Sequence, residues 1–215
     1  MSDDDASPPP EAAASRAYRA LERMIVTLEL PPSGTTTEGA LIERLALGRT
    51  PVREAIQRLA WEGLIEVRPR SGLAVAPLKA EDWALVIDAR RGVEAVLARS
   101  AARHVSDEAA ERFNEAALAM RLAVAAGNVP AFLEADKLLD EVVAEAADNI
   151  YAARVAAPLQ THSRRFWFRF HSETGLAQSA GHHLALIEAI LAGDPPRAAR
   201  EAERLMGALR RLAGE

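Results

Sequence analysis

The sequence predicts a mainly α-helical protein in two parts: a small helical unit closed by a β-hairpin, then an antiparallel bundle of about six helices. Three observations predict it. Apolar residues recur at helical spacing from about residue 16 to about residue 62 and again from about residue 81 onward. Between these tracts, Leu64-Ile65-Glu66-Val67 and Leu73-Ala74-Val75-Ala76 flank Arg68-Pro69-Arg70-Ser71-Gly72, the pattern of two short strands joined by a basic turn. Aromatic residues make up 5% of a chain that is 49% apolar, so Ala and Leu carry the core, as closely packed helices require.

Residues 1–15 read as a disordered tail, because Ser, Asp, Pro and Ala offer little to bury. A first helix runs from about Arg16 to Leu28. Tyr18, Leu21, Met24, Ile25 and Leu28 share one side of it, and Pro31-Pro32 end it. Ser33 to Thr37 is a turn. Thr36 or Thr37 caps a second helix that extends to Leu45 and buries Leu41, Ile42 and Leu45. Ala46 to Arg49 is a second, tight turn. The third helix runs from Pro51 to about Glu62, with Thr50 as N-cap, Pro51 at the first helical position and Gly63 as the stop. Val52, Ala55, Ile56 and Leu59 form its buried face. Arg53 and Gln57 lie on another face, with Arg49 just before the start. Such a helix is either a plain surface helix or one whose arginine and glutamine reach base edges in a major groove. The order helix, helix, turn, helix, hairpin is that of a winged helix-turn-helix over residues 16–78, and it favours the second reading.

From residue 79 to 215 the chain reads as almost wholly helical. Candidate helices are 81–103, 107–126, 129–147, 150–171, 179–192 and 195–213, separated by breaks at His104-Val105-Ser106, Gly127-Asn128, Asp148-Asn149, Ser172 to Ser179 and Gly193-Asp194-Pro195-Pro196. The Thr161 to His171 stretch mixes Arg164, Arg165 and Arg169 with Phe166, Trp167 and Phe168. It has three readings: a core helix whose arginines snorkel, a wall for an anionic ligand, or a nucleic-acid stacking surface.

The chain has no cysteine, which removes disulfides and thiolate metal sites and suits a reducing, cytoplasmic setting. Its acidic first residues lack the basic start and apolar run of a signal peptide, and no apolar run reaches membrane-spanning length. The net charge of -5 is unevenly spread. Residues 17–78 hold eight Arg against seven Glu, whereas residues 79–215 hold seventeen basic against twenty acidic side chains. Any grip on DNA therefore depends on where the arginines sit, and on doubling in a dimer, rather than on bulk charge.

The first unit resembles the winged-helix domain of the GntR family of bacterial transcription regulators. The resemblance is carried by Leu30-Pro31-Pro32, Glu43-Arg44-Leu45, and above all Arg49-Thr50-Pro51-Val52-Arg53-Glu54-Ala55-Ile56-Gln57-Arg58-Leu59 followed by Glu62-Gly63-Leu64-Ile65. The remainder resembles the FCD effector domain of the FadR-like branch, through Arg90-Arg91-Gly92-Val93-Glu94, Phe132 to Asp136, and His183-Leu184-Ala185-Leu186-Ile187-Glu188-Ala189-Ile190 leading into Gly193-Asp194. The resemblance implies a homodimeric, ligand-responsive regulator, more often a repressor, that reads a palindromic double-stranded operator and responds to a small carboxylate effector. Arg49, Thr50 and Arg53 match the family's operator-contacting positions, with Gln57 on the same face. Arg68 and Arg70 at the wing tip would reach phosphate or minor groove, and Gly72 matches the wing glycine. Gly48 stands where the family usually has a serine or threonine, so one hydroxyl contact to the DNA backbone is lost.

In metal-binding members of the family the ligands are an aspartate, a histidine one turn later and two histidines on later helices. Asp136 and His183 match the first and third. The second and fourth fall on Asp140 and Leu205. The resemblance thus implies a degenerate site of Asp136, Asp140 and His183 that holds a divalent metal weakly, and an effector anchored by arginine instead. Arg90 matches the family's early arginine, and Glu94 one turn on either orients it or merely pairs with it along the helix. Arg154 and Arg165 are placed on the helix facing the cavity, with His162 and His171 as further lining. His182 and His104 are assigned to the surface and to a turn. Two other functions compete: a helical-domain enzyme using Asp136, Asp140 and His183, and an effector-blind dimeric scaffold. A polar cavity lined by Arg90, Asp136 and His183 would argue against the scaffold.

Overall fold

Helix α1 (Ala13–Val26) is followed by a two-residue strand β1 (Thr35–Thr36), α2 (Glu38–Leu45), α3 (Arg49–Trp61) and a hairpin of β2 (Ile65–Arg68) and β3 (Gly72–Val75). The computed structural model describes residues 11–69, 72–171 and 175–214. Most of the expected tail, residues 1–10, lies outside them, as does Arg70 at the wing tip. Ala13 to Ser15, expected in the tail, begin α1 instead, since alanine is the best helix former. The helix also ends early. Leu28, expected on its apolar face, has a left-handed φ of 58° and is half-buried. Leu30 takes the buried place and donates its N–H to the Met24 carbonyl at 2.9 Å.

The apolar faces of α1, α2 and α3 meet in one core with Leu64, Ile65, Leu73 and Val75 from the hairpin side. Thr37 caps α2, its hydroxyl accepting from the Ala40 N–H at 3.1 Å. The cap of α3 differs from expectation. Gly48 occupies it and Thr50 lies inside the first turn. Pro51, the third helical residue, is tolerated because the first N–H groups of a helix have no intrahelical partner in any case. Strand β1, read from sequence as part of a turn, adds an edge to the wing: the order is β1-β3-β2, antiparallel, with Thr35 opposite Ala74 and Ile65 opposite Val75.

A second unit begins at Leu78. Its helices are α4 (Ala80–His104), α5 (Asp107–Ala125), α6 (Val129–Ala146), α7 (Ile150–Phe170), α8 (Gly175–Leu191) and α9 (Pro195–Leu212). Ser106, Asn128, Asn149 and Asp194 cap four of them through side-chain oxygens, which is why the chain breaks where it does. Helix α4 is central and packs against α6, α7, α8 and α9. Trp83 on α4 stacks on Phe166 and Phe170 of α7, with ring centroids 6.1 and 5.9 Å apart. Among the described residues no helix is long and apolar enough to cross a membrane.

Candidate functional sites

Arg49, Thr50, Arg53 and Gln57 all lie exposed along one stripe of α3, opposite the buried Val52, Ala55, Ile56 and Leu59. Two of them share a partner that sequence reasoning missed. Glu38, in the first turn of α2, accepts from Arg53 Nε at 3.2 Å and Nη2 at 3.3 Å, and Arg49 Nε lies 4.0 Å from the same carboxylate. The arginine side chains remain 77% and 56% exposed. Exposed pairs of this kind contribute little stability. They hold two guanidinium groups side by side while leaving both open to a ligand. Arg58, also on α3 and exposed, is engaged by its own unit. It lies over the Tyr18 ring at 3.7 Å and pairs with Glu62 at 3.0 Å. The Tyr18 hydroxyl donates to Glu62 at 2.8 Å, and burial together with Glu22 and Glu62 raises its pKa.

On the wing, Arg68 is exposed and pairs with Glu66 at 2.8 Å. Gly72 has φ of 84°, and a Cβ there would stand 2.6 Å from the Thr36 carbonyl oxygen. Both the left-handed turn and the close approach of β1 therefore demand glycine.

The second site is a buried ionic cluster in the helical unit. Arg90 Nε donates to Glu94 Oε1 at 2.8 Å, and Gln160 Nε2 donates to the same oxygen at 3.2 Å. Arg164 Nη1 reaches Asp140 at 2.5 Å and Asp136 at 3.3 Å. His183 places Nε2 2.7 Å from Asp136 Oδ1 and Nδ1 2.7 Å from the Ser179 carbonyl. A carbonyl only accepts, so Nδ1 carries a proton. A neutral ring would then turn a bare Nε2 toward a carboxylate at hydrogen-bond distance, so that contact needs a second proton. Counting charges gives the same answer. Glu94, Asp136 and Asp140 face Arg90 and Arg164, and the cluster becomes neutral when it holds one proton more, shared between His183 and its carboxylates. Burial raises the pKa of Asp136, but the hydrogen bond and charge of His183, then Arg164 and Arg90, carry it well below the usual carboxylate range. Burial and the neighbouring Asp136 push Asp140 up. Burial opposes charge on His183, and the Asp136 hydrogen bond outweighs it, so His183 is raised.

One space adjoins this cluster, and two more follow outward from it. One of about 20 Å³ is lined by Arg90, Asp136, Ser163, Arg164, Ser179 and His183 among others. A second of about 80 Å³ opens between α8 and α9, and shares Ser179 and Leu209 with the first. A wider groove of about 610 Å³ shares His182 and Arg211 with the second. The small inner space holds little more than one water, so a ligand of several atoms needs the second as well.

Residues 13–75 match the bacterial regulatory proteins of the gntR family, and residues 85–208 match the FCD domain. The chain belongs to the GntR family, in its FCD branch. It is a transcription regulator of the DNA-binding, effector-responsive type and not an enzyme. A relative from Paenarthrobacter nicotinovorans, "Probable D-xylose utilization operon transcriptional repressor", is 28% identical over 166 residues, 77% of this chain and 73% of that one. The repressor RspR of Escherichia coli is 27% identical over 140 residues, 65% of this chain and 61% of its own length. In fold the chain is similar to E. coli McbR/YncC, with a TM-score of 0.78, 16% identity and coverage of 92% and 94% of the two chains. A GntR protein from Rhodococcus sp. RHA1 gives a TM-score of 0.73, with 19% identity over 94% of this chain and 97% of that one.

Within this GntR chain the expected effector residues separate. Arg90, Asp136 and His183 come together at the inner space. Arg154 does not: it is exposed on α7. Arg165 is fully buried but does not line that space, and burial lowers its pKa to about 10. Arg164, one residue earlier, lines it instead. His162 is half-buried away from the lining, and His171 stacks on Trp167 at 4.5 Å. His182, assigned to the surface, is half-buried and walls the second space.

The degenerate metal site does not fit a divalent ion. Asp136 and Asp140 are both engaged by the Arg164 guanidinium, His183 Nε2 faces Asp136, and the fourth position, Leu205, is buried hydrocarbon. Among the described residues no group of three His, Asp or Glu side chains is arranged to hold a metal. The guanidinium supplies the fixed positive charge at the carboxylates, and it is a cation that no chelator removes.

Proposed function

We propose that this GntR regulator binds a palindromic operator as a homodimer, that it acts as a repressor, and that a small carboxylate bound within the helical unit relieves repression. The observation that carries the reading is the pairing of two features: an exposed Arg49–Arg53 stripe on α3, and a buried polar cavity rimmed by the arginines Arg90 and Arg164. Arginine at the start of a helix in the major groove bridges guanine O6 and N7. A guanidinium in a low-dielectric cavity favours a carboxylate over a neutral ligand. The lining by Arg90, Asp136 and His183 supports an effector site over a bundle closed on hydrocarbon alone.

The test is a footprint and band-shift series on DNA flanking the gene, repeated with a panel of mono-, di- and tricarboxylates. A two-fold symmetric protected site, released by at least one acid in wild type and by none in Arg164→Met, is the expected result. Protection without symmetry, or release by neutral sugars alone, would overturn the reading.

A further inference from the structure

The widest of the three spaces, about 610 Å³, lies on the surface where α4, α8 and α9 meet. Four arginines line it, one from α4 and three from α9, against a single glutamate among its described lining residues. That runs against the local composition, because residues 79–215 carry an acidic excess of three charges. Gly207 is one of its lining residues. From the point where its Cβ would be, Arg211 Nη1 is 3.7 Å away and Arg91 Nη2 is 3.9 Å away. Arg91 comes from α4 and Arg211 from α9, helices packed directly against each other, so the core fixes their convergence. Neighbouring arginines are already matched: Arg204 with Glu201 at 2.7 Å and Arg210 with Asp88 at 3.2 Å. Among the described residues no carboxylate pairs with Arg91 or Arg211. Two exposed like charges held over a bare backbone repel each other, and a bound anion removes that cost.

We propose that this groove is a second ligand site, which takes a small oxyanion with two or more negative charges between Arg91 and Arg211 over Gly207. A phosphate-bearing molecule and a di- or tricarboxylate offer the same chemistry here. The site is distinct from the buried cluster and stands whether or not a carboxylate binds there. His182, at the edge of the groove, feels the same field: burial, then His183 and Arg211, lower its pKa.

Titration calorimetry on the full chain at low ionic strength tests the proposal, with pyrophosphate, citrate and acetate as probes. Wild type is expected to bind pyrophosphate or citrate at one site per chain and to ignore acetate. Which of the first two binds more tightly distinguishes the phosphate from the polycarboxylate source. Arg91→Ala with Arg211→Ala should weaken binding at least tenfold. Gly207→Leu keeps every charge, fills the gap, and should do the same; helical leucine is favoured over glycine, so this variant folds. Absence of saturable binding in wild type, or equal binding in both variants, overturns the site. So does a loss of DNA affinity in the double variant with no oxyanion added, which would make the groove a nucleic-acid contact.

Discussion

Removing the Arg53 guanidinium should abolish operator recognition and leave the fold untouched. The Arg53 side chain is 56% exposed and its partner Glu38 is 31% exposed. A pair so accessible to solvent is worth roughly 0–1 kcal/mol of stability, so Arg53→Ala should melt within a few degrees of wild type. On DNA the loss is larger. One bidentate arginine–guanine contact is worth about 1–3 kcal/mol. Two half-sites double that to about 2–6 kcal/mol, or roughly 30- to 10⁴-fold in affinity. Glu38→Gln should act in the opposite direction. It frees Arg49 and Arg53 from a carboxylate that competes with phosphate, and the gain is bounded by the small energy of the pair, so tighter binding of tenfold or less per protomer is expected. Fluorescence anisotropy at fixed salt, on operator and on scrambled DNA, with circular dichroism as fold control, measures both. Unchanged specific affinity in Arg53→Ala would sink the recognition assignment. Weaker binding in Glu38→Gln would show that the carboxylate aims the arginines instead of restraining them.

The remaining predictions concern the wing and the buried cluster. Gly72→Ala should be strongly destabilising, because it adds a left-handed φ to a 2.6 Å clash with the Thr36 carbonyl; urea unfolding should show a clear fall in midpoint, and a midpoint equal to wild type would refute the close approach. Arg164→Ala leaves Asp136 and Asp140 buried without their guanidinium and should cost about 3–5 kcal/mol, whereas Arg154→Ala, on an exposed face, should be within about 0.5 kcal/mol of wild type. The pKa values of His183 and Asp140 are raised in the folded state, so the stability they contribute is present at low pH and lost as pH rises through those folded values. Asp136, depressed, has the opposite sign: its contribution is present above the ordinary carboxylate range and lost only in strong acid. Stability should therefore fall as pH rises above the ordinary carboxylate range, through about 7 where Asp140 titrates in the folded state and on as His183 loses its proton, by at most about 1.4 kcal/mol per pH unit for each extra proton in the folded state, and His183→Gln should flatten the slope. A wild-type stability that rises over that range would contradict the proton count.

Much of this fold is legible because its punctuation is local. Ser106, Asn128, Asn149 and Asp194 each cap the helix that follows, and the hairpin announces itself by two apolar runs about a basic turn. Strand β1 is not legible, since two threonines carry no alternation and gain their strand character only from β3. The third helix is legible in its faces but not in its cap, because Thr50 and Gly48 both suit the position. The candidate effector site is half legible. Resemblance singles out Asp136 and His183, which meet at the inner space. Arg164 escapes because Phe166, Trp167 and Phe168 blur the apolar stripe of α7, and each residue of error turns the helical face by about 100°. Glu38 escapes for a different reason: it meets Arg53 across two helices, and no spacing within one helix encodes that meeting.

His182 and His183 are adjacent on α8 yet serve different spaces, one beside Arg211 and the other against Asp136. A single rigid helix thus has a tooth in each compartment. It cannot turn to re-seat one histidine without displacing the other. An occupant of the outer groove that prefers one setting of α8 must then alter the proton affinity of the inner cluster, and acidity must alter the hold on that occupant by the same factor.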